Sequence, residues 1–142
     1  MILSEFKKQE QLLRKQYNIP KVFYFGYDDE VSISPEQAIY ALFCGKDCAY
    51  VGQSHNIIRR IKTHKRHLLF DTCIIIPFGN TYDLNYCEQL YINLFNPTLN
   101  GSFTSYEKQH YGGAMNYNIV KKICDNLWDE TYGAKYSGRY VT

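Results

Sequence analysis

Two apolar runs separated by one short polar break constrain the fold of this chain more than any other feature. The first is Ala38-Ile39-Tyr40-Ala41-Leu42-Phe43 and the second is Cys48-Ala49-Tyr50-Val51-Gly52, with Cys44 to Asp47 between them. Together they predict a β-hairpin with Gly45 in its turn. The period then changes: from His55 to Leu69, at about 100° per residue, Ile57, Ile61, His64 and Leu68 share one narrow stripe of a helix. Asp71 to Phe78 contains the continuous apolar run Cys73-Ile74-Ile75-Ile76, the pattern of a buried strand. A second helix, from about Thr81 to Asn96, buries Leu84, Cys87, Leu90, Tyr91, Leu94 and Phe95, and Pro97 stops it. The expected fold is α+β, a small central antiparallel sheet made of the hairpin plus a third strand and flanked by helices.

Additions stand on both sides of this unit. Ile2, Phe6, Leu13 and Tyr17 recur near helical spacing, so residues 1–35 open with an amphipathic helix that ends before Pro20. Val22 to Tyr27 follows as a short strand or hairpin, and Asp28-Asp29-Glu30 as a polar turn. Beyond Gly101, Tyr106, Tyr111, Tyr117, Tyr132, Tyr136 and Tyr140 are interleaved with lysines and Arg139, and only Ala114 to Trp128 has a helical pattern. A free tail this aromatic would be poorly soluble, so residues 102–142 are expected to pack on the core for the most part, although stacking on nucleic acid is a second use for such tyrosines. A length of 142 residues suits one domain with a substantial core.

The composition, 45% hydrophobic and 21% charged, is that of a globular protein and excludes collagen-like and wholly disordered classes. No apolar stretch approaches the roughly 18 residues needed to span a bilayer, and the first residues lack the apolar region of a signal peptide, so no membrane partner and a cytoplasmic location are expected. The five cysteines, Cys44, Cys48, Cys73, Cys87 and Cys124, form no C-x-x-C pair and suit reduced thiols. A net charge of +2 names no partner, but its distribution is uneven. Arg59, Arg60, Lys62, Lys65 and Arg66 fall with His55, His64 and His67 in a stretch that contains no acid. Such a segment is either a solvated helix face or a surface that phosphate would satisfy.

The order of residues from position 38 narrows that choice. Ala38-Ile39-Tyr40 precedes Tyr50-Val51-Gly52 by ten residues, tyrosine to tyrosine. Arg60 and His64 follow on the basic helix, then Glu88 on the second helix, and Asn100 after Pro97-Thr98-Leu99. Each triplet alone is weak, but the ordered set resembles the GIY-YIG nuclease family over about residues 36–101. Ala38 stands where the family usually has glycine, and Val51 where it has isoleucine. The resemblance implies a GIY-YIG-like core with N- and C-terminal additions, and Tyr40, Tyr50, Arg60, His64, Glu88 and Asn100 as its active-site residues. Tyr40 is then the candidate to deprotonate water and Tyr50 to position it or the phosphate.

The residue types agree with that chemistry. Glu88, mid-helix at the edge of an apolar face, wants a cation there, and one carboxylate with water and phosphate oxygens is a normal Mg²⁺ site, with Mn²⁺ as a substitute. A solvated glutamate or an ion pair with Arg60 is the alternative. Arg60 offers a rigid fork of donors for a phosphate oxygen in a pentacovalent transition state. His64 is either a satisfied core histidine or the group that orients a tyrosine or the attacking water. Asn100 suits a supporting role, holding the loop after the second helix. Arg59, Lys62, Lys65 and Arg66 are the candidate contacts to the DNA backbone.

The function implied is a divalent-metal-dependent DNA endonuclease of phage, mobile-element or restriction type. The alternatives are a nucleic-acid-binding protein that keeps the nuclease fold without cleavage, and an RNA-directed nuclease. One active centre nicks one strand, which leaves a homo-oligomer open. The two-tyrosine mechanism also makes a geometric demand. Opposed residues in a hairpin have a constant sum, so an even loop such as Gly45-Lys46 would pair Tyr40 with Val51 and put the tyrosines on opposite faces. An odd loop or a bulge between Phe43 and Cys48 is therefore expected, with both hydroxyls facing the groove that holds Arg60 and Glu88.

Overall fold

Strand β2 (Gln37–Cys44) is buried at every position, because it lies inside a sheet that is covered on both faces. Its partners are β3 (Asp47–Ser54) on one side and β4 (Thr72–Phe78) on the other, and β1 (Phe23–Gly26) pairs with the far edge of β4. The order is β1-β4-β2-β3, and every pairing is antiparallel. The helices are α1 (Leu3–Tyr17), α2 (Ile57–His67), α3 (Leu84–Phe95) and α4 (Tyr117–Tyr132). This computed structural model describes residues 1–80, 83–97 and 117–132. The expected α+β architecture is present, with a four-stranded sheet in place of three strands. The segment Val22 to Tyr27 makes no local hairpin; it reaches 46 residues or more along the chain, pairing Phe23 with Ile75 and Gly26 with Thr72.

Alternation along the strands divides the core into two layers. Tyr40, Leu42 and Cys44 of β2 and Cys73 and Ile75 of β4 share a cluster with Ile57 and Ile61 of α2, Leu68 beyond it, and Cys124, Leu127 and Trp128 of α4. Ile39, Ala41 and Phe43 of β2 and Ile74 and Ile76 of β4 face Leu3, Phe6 and Leu13 of α1 and Cys87, Tyr91 and Phe95 of α3. Both faces of β4 are thus apolar contacts, which is why its sequence is a continuous apolar run rather than an alternating one.

Local signals stop the helices where the chain must turn. Asn18 and Asn96 adopt left-handed backbone at the C-caps of α1 and α3, with φ of 51° and 47°, and prolines follow both. Asn56 caps α2 by accepting from the Arg59 backbone N–H, and Asp83 caps α3 by accepting from that of Asn85. Leu90 and Leu94 of α3 are only half-buried, and Ile92 is buried in their place. Helix α4 runs four residues beyond Trp128, the expected end. It packs on the core: Thr131 lies against Gly45, and the Tyr132 hydroxyl donates to the Asp71 carboxylate, which also accepts from the Gly45 N–H. Tyr106, Tyr111, Tyr136 and Tyr140, and the candidate Asn100, lie outside the described residues.

Among the described residues no helix is long and apolar enough to cross a membrane. All five cysteines are buried free thiols.

Candidate active site

The hairpin solves its parity problem with a bulge. Cys44 pairs with Asp47 and Phe43 with Cys48 around a two-residue turn, Gly45-Lys46, which alone would place the tyrosines on opposite faces. The register then shifts between Leu42 and Phe43, so that Leu42 pairs with Tyr50 and Tyr40 with Gly52. Ala49 is the extra residue, and both tyrosines leave the sheet on the same side. The bulge sits just beyond the expected Phe43 to Cys48 interval. The turn itself is pinned, by a glycine at φ +60° and by the Asp71 carboxylate on its N–H at 2.7 Å, so the additional residue is accommodated one pair further along the ladder.

Three rings meet on that face. The Tyr40 hydroxyl and His64 Nε2 share a hydrogen bond of 2.8 Å, and the Tyr50 ring lies 6.0 Å from that of Tyr40 and 6.2 Å from that of His64, centroid to centroid. Gly52 makes room for them. A Cβ at that position would stand 2.6 Å from Cζ and Oη of Tyr40 and 2.8 Å from Cε1 of Tyr50. Its glycine is required by the space the rings occupy. Ala38, at the usual glycine position of the first triplet, is fully buried and paired in register with both Ser54 and Pro77, so its methyl is accommodated in a regular strand.

Helix α2 delivers the histidine. Ser54 Oγ accepts from the Asn56 N–H at 2.9 Å, which sets the turn from β3 into the helix, and Ile57, Ile61 and His64 then face inward. Burial, followed by the nearby positive charges of Arg60 and His67, lowers the His64 pKa from 6.5 to about 3. The imidazole is therefore neutral at pH 7, and with its proton on Nδ1 it accepts from the tyrosine O–H at Nε2. Arg60, one turn earlier, is half-buried beside it, while Arg59, Lys62 and Arg66 are exposed. Lys65 differs from them. Its Nζ donates to the Asp29 carbonyl at 2.6 Å and lies 5.9 Å over the Tyr27 ring, and the Tyr27 hydroxyl donates back to the Lys65 carbonyl. That cation fastens the turn after β1 to α2, which leaves Arg59, Lys62 and Arg66 as the exposed cations of the segment.

Glu88 is fully buried on α3, and β3 supplies a partner for it. Gln53 follows Gly52 and pairs with Ile39, so its side chain leaves the sheet on the α3 face, opposite to the tyrosines. Its Nε2 donates to Glu88 Oε2 at 3.0 Å and to Asn85 Oδ1 at 2.9 Å. The Tyr40 hydroxyl thus meets α2, and the Glu88 carboxylate is held on the other face through Gln53 of β3. The expected single groove holding Arg60, Glu88 and both hydroxyls on one side of the sheet is therefore not what is observed; the two faces adjoin along β3, the edge strand. Sequence reasoning missed Gln53 and Asn85. The available signal was position: Gln53 adjoins the Tyr-Val-Gly triplet, and Asn85 precedes Glu88 by three residues and so shares its helix face.

These groups also suit the cation that the family resemblance implies. Two oxygens, one from a carboxylate and one from an amide, converge on a single point, and hard oxygen donors are what Mg²⁺ and Mn²⁺ take. Among the described residues no three His, Cys, Asp or Glu side chains converge. The charge at such a site would come from one carboxylate.

Comparison with known proteins gives no matching family model, no matching curated protein and no matching solved structure. The chemistry of the site has to come from its own side chains.

Proposed function

We propose that this protein is a divalent-cation-dependent endonuclease that hydrolyses DNA phosphodiester bonds by in-line attack of water. The observation that carries this is the Tyr40–His64 hydrogen bond, formed beside Tyr50 and one helical turn from Arg60. A phenol with a pKa near 10 is a poor base at pH 7. A neutral imidazole that accepts from its hydroxyl holds the Tyr40 oxygen in place, and the positive charge of Arg60 favours the phenolate, which takes the proton from the attacking water. Tyr50 lies against both rings and positions the water or the phosphate. Arg60 holds a non-bridging oxygen and stabilises the charge that develops on it. Glu88 would hold Mg²⁺, or Mn²⁺ in its place, and when bound the ion supplies stabilisation of the leaving oxygen. Arg59, Lys62 and Arg66 suit contacts to the DNA backbone. A phage, mobile-element or restriction enzyme acting in the cytoplasm is the setting this reading suits.

One observation favours a second reading, a nucleic-acid-binding protein with this fold and no cleavage. Tyr40, His64 and Glu88 are 0% exposed and Tyr50 is 2% exposed, so a phosphodiester reaches them only if their cover opens. Incubation with supercoiled plasmid and with structured RNA, each with Mg²⁺ or EDTA, separates the alternatives. The expected result is Mg²⁺-dependent nicking or linearisation of the plasmid, abolished in Glu88→Ala while DNA binding in Ca²⁺ persists. Full activity of Glu88→Ala would remove that residue from the mechanism. Binding without cleavage by the folded wild type would establish the second reading, and cleavage of RNA alone would change the substrate.

A further inference from the structure

The Gln53 end amide bridges two oxygens, as a cation would. Its nitrogen is 3.0 Å from Glu88 Oε2 and 2.9 Å from Asn85 Oδ1, so both oxygens already point at one electropositive centre. The amide has a second face. A half-turn of the terminal group exchanges Nε2 for Oε1, which leaves the shape unchanged and sets a third oxygen beside the other two, at about the 3 Å that separates adjacent ligands of a hard ion bound at about 2.1 Å. Without a cation that orientation is unfavourable, because three acceptors would face one another. With one it is favourable, because an N–H₂ group would repel the ion while a carbonyl oxygen ligates it.

We propose that Glu88, Asn85 and Gln53 form a three-oxygen site for one hard divalent cation, and that the Gln53 amide turns over as the cation enters. This rests on the nuclease reading only for what the cation is used for. The access is suitable: Glu88 is buried, but Gln53 is half-buried and Asn85 exposed, so the ion enters from the solvent side of α3. The charge is suitable too. One carboxylate and two neutral oxygens leave a divalent ion with net positive charge, and with positions for water and phosphate oxygens in a six-coordinate shell. Near the start of α3 the helix dipole opposes a cation, and the Asp83 carboxylate that caps the Asn85 N–H at 2.9 Å offsets it.

The test is titration of the purified protein with Mn²⁺, followed by loss of the free-ion electron paramagnetic resonance signal, with Mg²⁺ as competitor. Wild type should bind one Mn²⁺ per chain. Gln53→Met and Asn85→Ala should each weaken binding about tenfold or more, and Glu88→Gln should abolish it. Gln53→Glu should tighten it about tenfold, melt at a lower temperature without metal because two carboxylates then face each other, and recover on adding Mn²⁺. In NMR, the Gln53 side-chain N–H₂ resonances should shift when Mg²⁺ saturates the site, as their protons leave the two acceptors. Metal-free melting curves show that each variant is folded.

Mn²⁺ binding by Gln53→Met and Asn85→Ala indistinguishable from that of wild type overturns the site, as does a wild type that takes up no Mn²⁺ at millimolar concentration. Unaltered Gln53 amide resonances in saturating Mg²⁺ overturn the turning of the amide. If cleavage persists while Gln53→Met leaves Mn²⁺ affinity and Mg²⁺ dependence unchanged, the nuclease reading stands without this site. If the expected Mn²⁺ pattern holds but neither DNA nor RNA is cut, the site stands and the nuclease reading falls.

Discussion

Gly52→Ala tests the geometry of the hairpin with one methyl group. The new carbon would lie 2.6 Å from two atoms of Tyr40 and 2.8 Å from one of Tyr50, well inside van der Waals contact. Neither ring can retreat cheaply. Both are buried, and Tyr40 is tied to His64 at 2.8 Å. Overpacking of this kind costs about 1–3 kcal/mol, and three contacts inside 3 Å argue for the upper end. At about 2.1 cal/mol/K of unfolding entropy per residue, a chain of 142 residues loses roughly 10 °C of Tm for about 3 kcal/mol. A matched control exists in the same protein. At Gly79 a Cβ meets nothing within 4 Å, so Gly79→Ala should leave Tm unchanged or raise it by up to about 3 °C through lower entropy of the unfolded chain. The assay is thermal unfolding followed by circular dichroism, with plasmid cleavage alongside. Gly52→Ala should also lose cleavage, because Tyr40 must swing off His64. A Gly52→Ala protein melting within about 2 °C of wild type would show that the rings do not rest on Gly52, and the bulged register that puts them there would be refuted.

Three further outcomes follow from the same geometry. His64 resists protonation in the folded state down to about pH 3, whereas in the unfolded chain it takes a proton below 6.5. Its contribution to stability is complete above pH 6.5 and falls as pH drops from 6.5 toward 3, by up to about 1.4 kcal/mol per pH unit. Urea unfolding between pH 7 and pH 5 should therefore show a shallower loss in His64→Gln than in wild type, and equal slopes would contradict a buried neutral imidazole. Arg60→Ala should lose roughly 10² or more in single-turnover cleavage, while Arg59→Ala should mainly weaken DNA binding and reduce its salt slope by about one; equal effects would mean that the helix faces are misassigned. Lys65→Met should cost about 1 kcal/mol in unfolding experiments by freeing the turn at Asp29, yet change DNA affinity less than Lys62→Met does, and the reverse order would restore Lys65 to the binding face.

Much of the fold was legible because it is written in short periods. The stripe Ile57, Ile61, His64 lies inward as its spacing requires, the run Cys73 to Ile76 is buried on both faces, and Pro20 and Pro97 follow the ends of α1 and α3. Each of these signals lies within a few residues of the structure it specifies. The candidate residues Tyr40, Tyr50, Arg60 and His64 were legible as an ordered set, since a hairpin followed at once by a helix brings them near one another, but that the two tyrosines share a face depends on the bulge.

Pairing and sidedness are different, because they depend on contacts between residues far apart in the chain. Nothing near Phe23 announces that it will pair with Ile75, and nothing near Ala49 announces a bulge, since a two-residue turn alone predicts the opposite register. The fate of Lys65 was equally invisible: a charge on a basic helix reads as solvated until Asp29 and Tyr27 arrive from the β1 turn. So was the meeting of Gln53 with Asn85 and Glu88, 32 and 35 residues away. By itself the sequence determined which segments are helix or strand and which face of each is apolar, because 3.6- and 2-residue periods are local. Only the tertiary structure decided register, strand neighbours and the company each polar side chain keeps, because those follow from packing the two faces of the sheet at once.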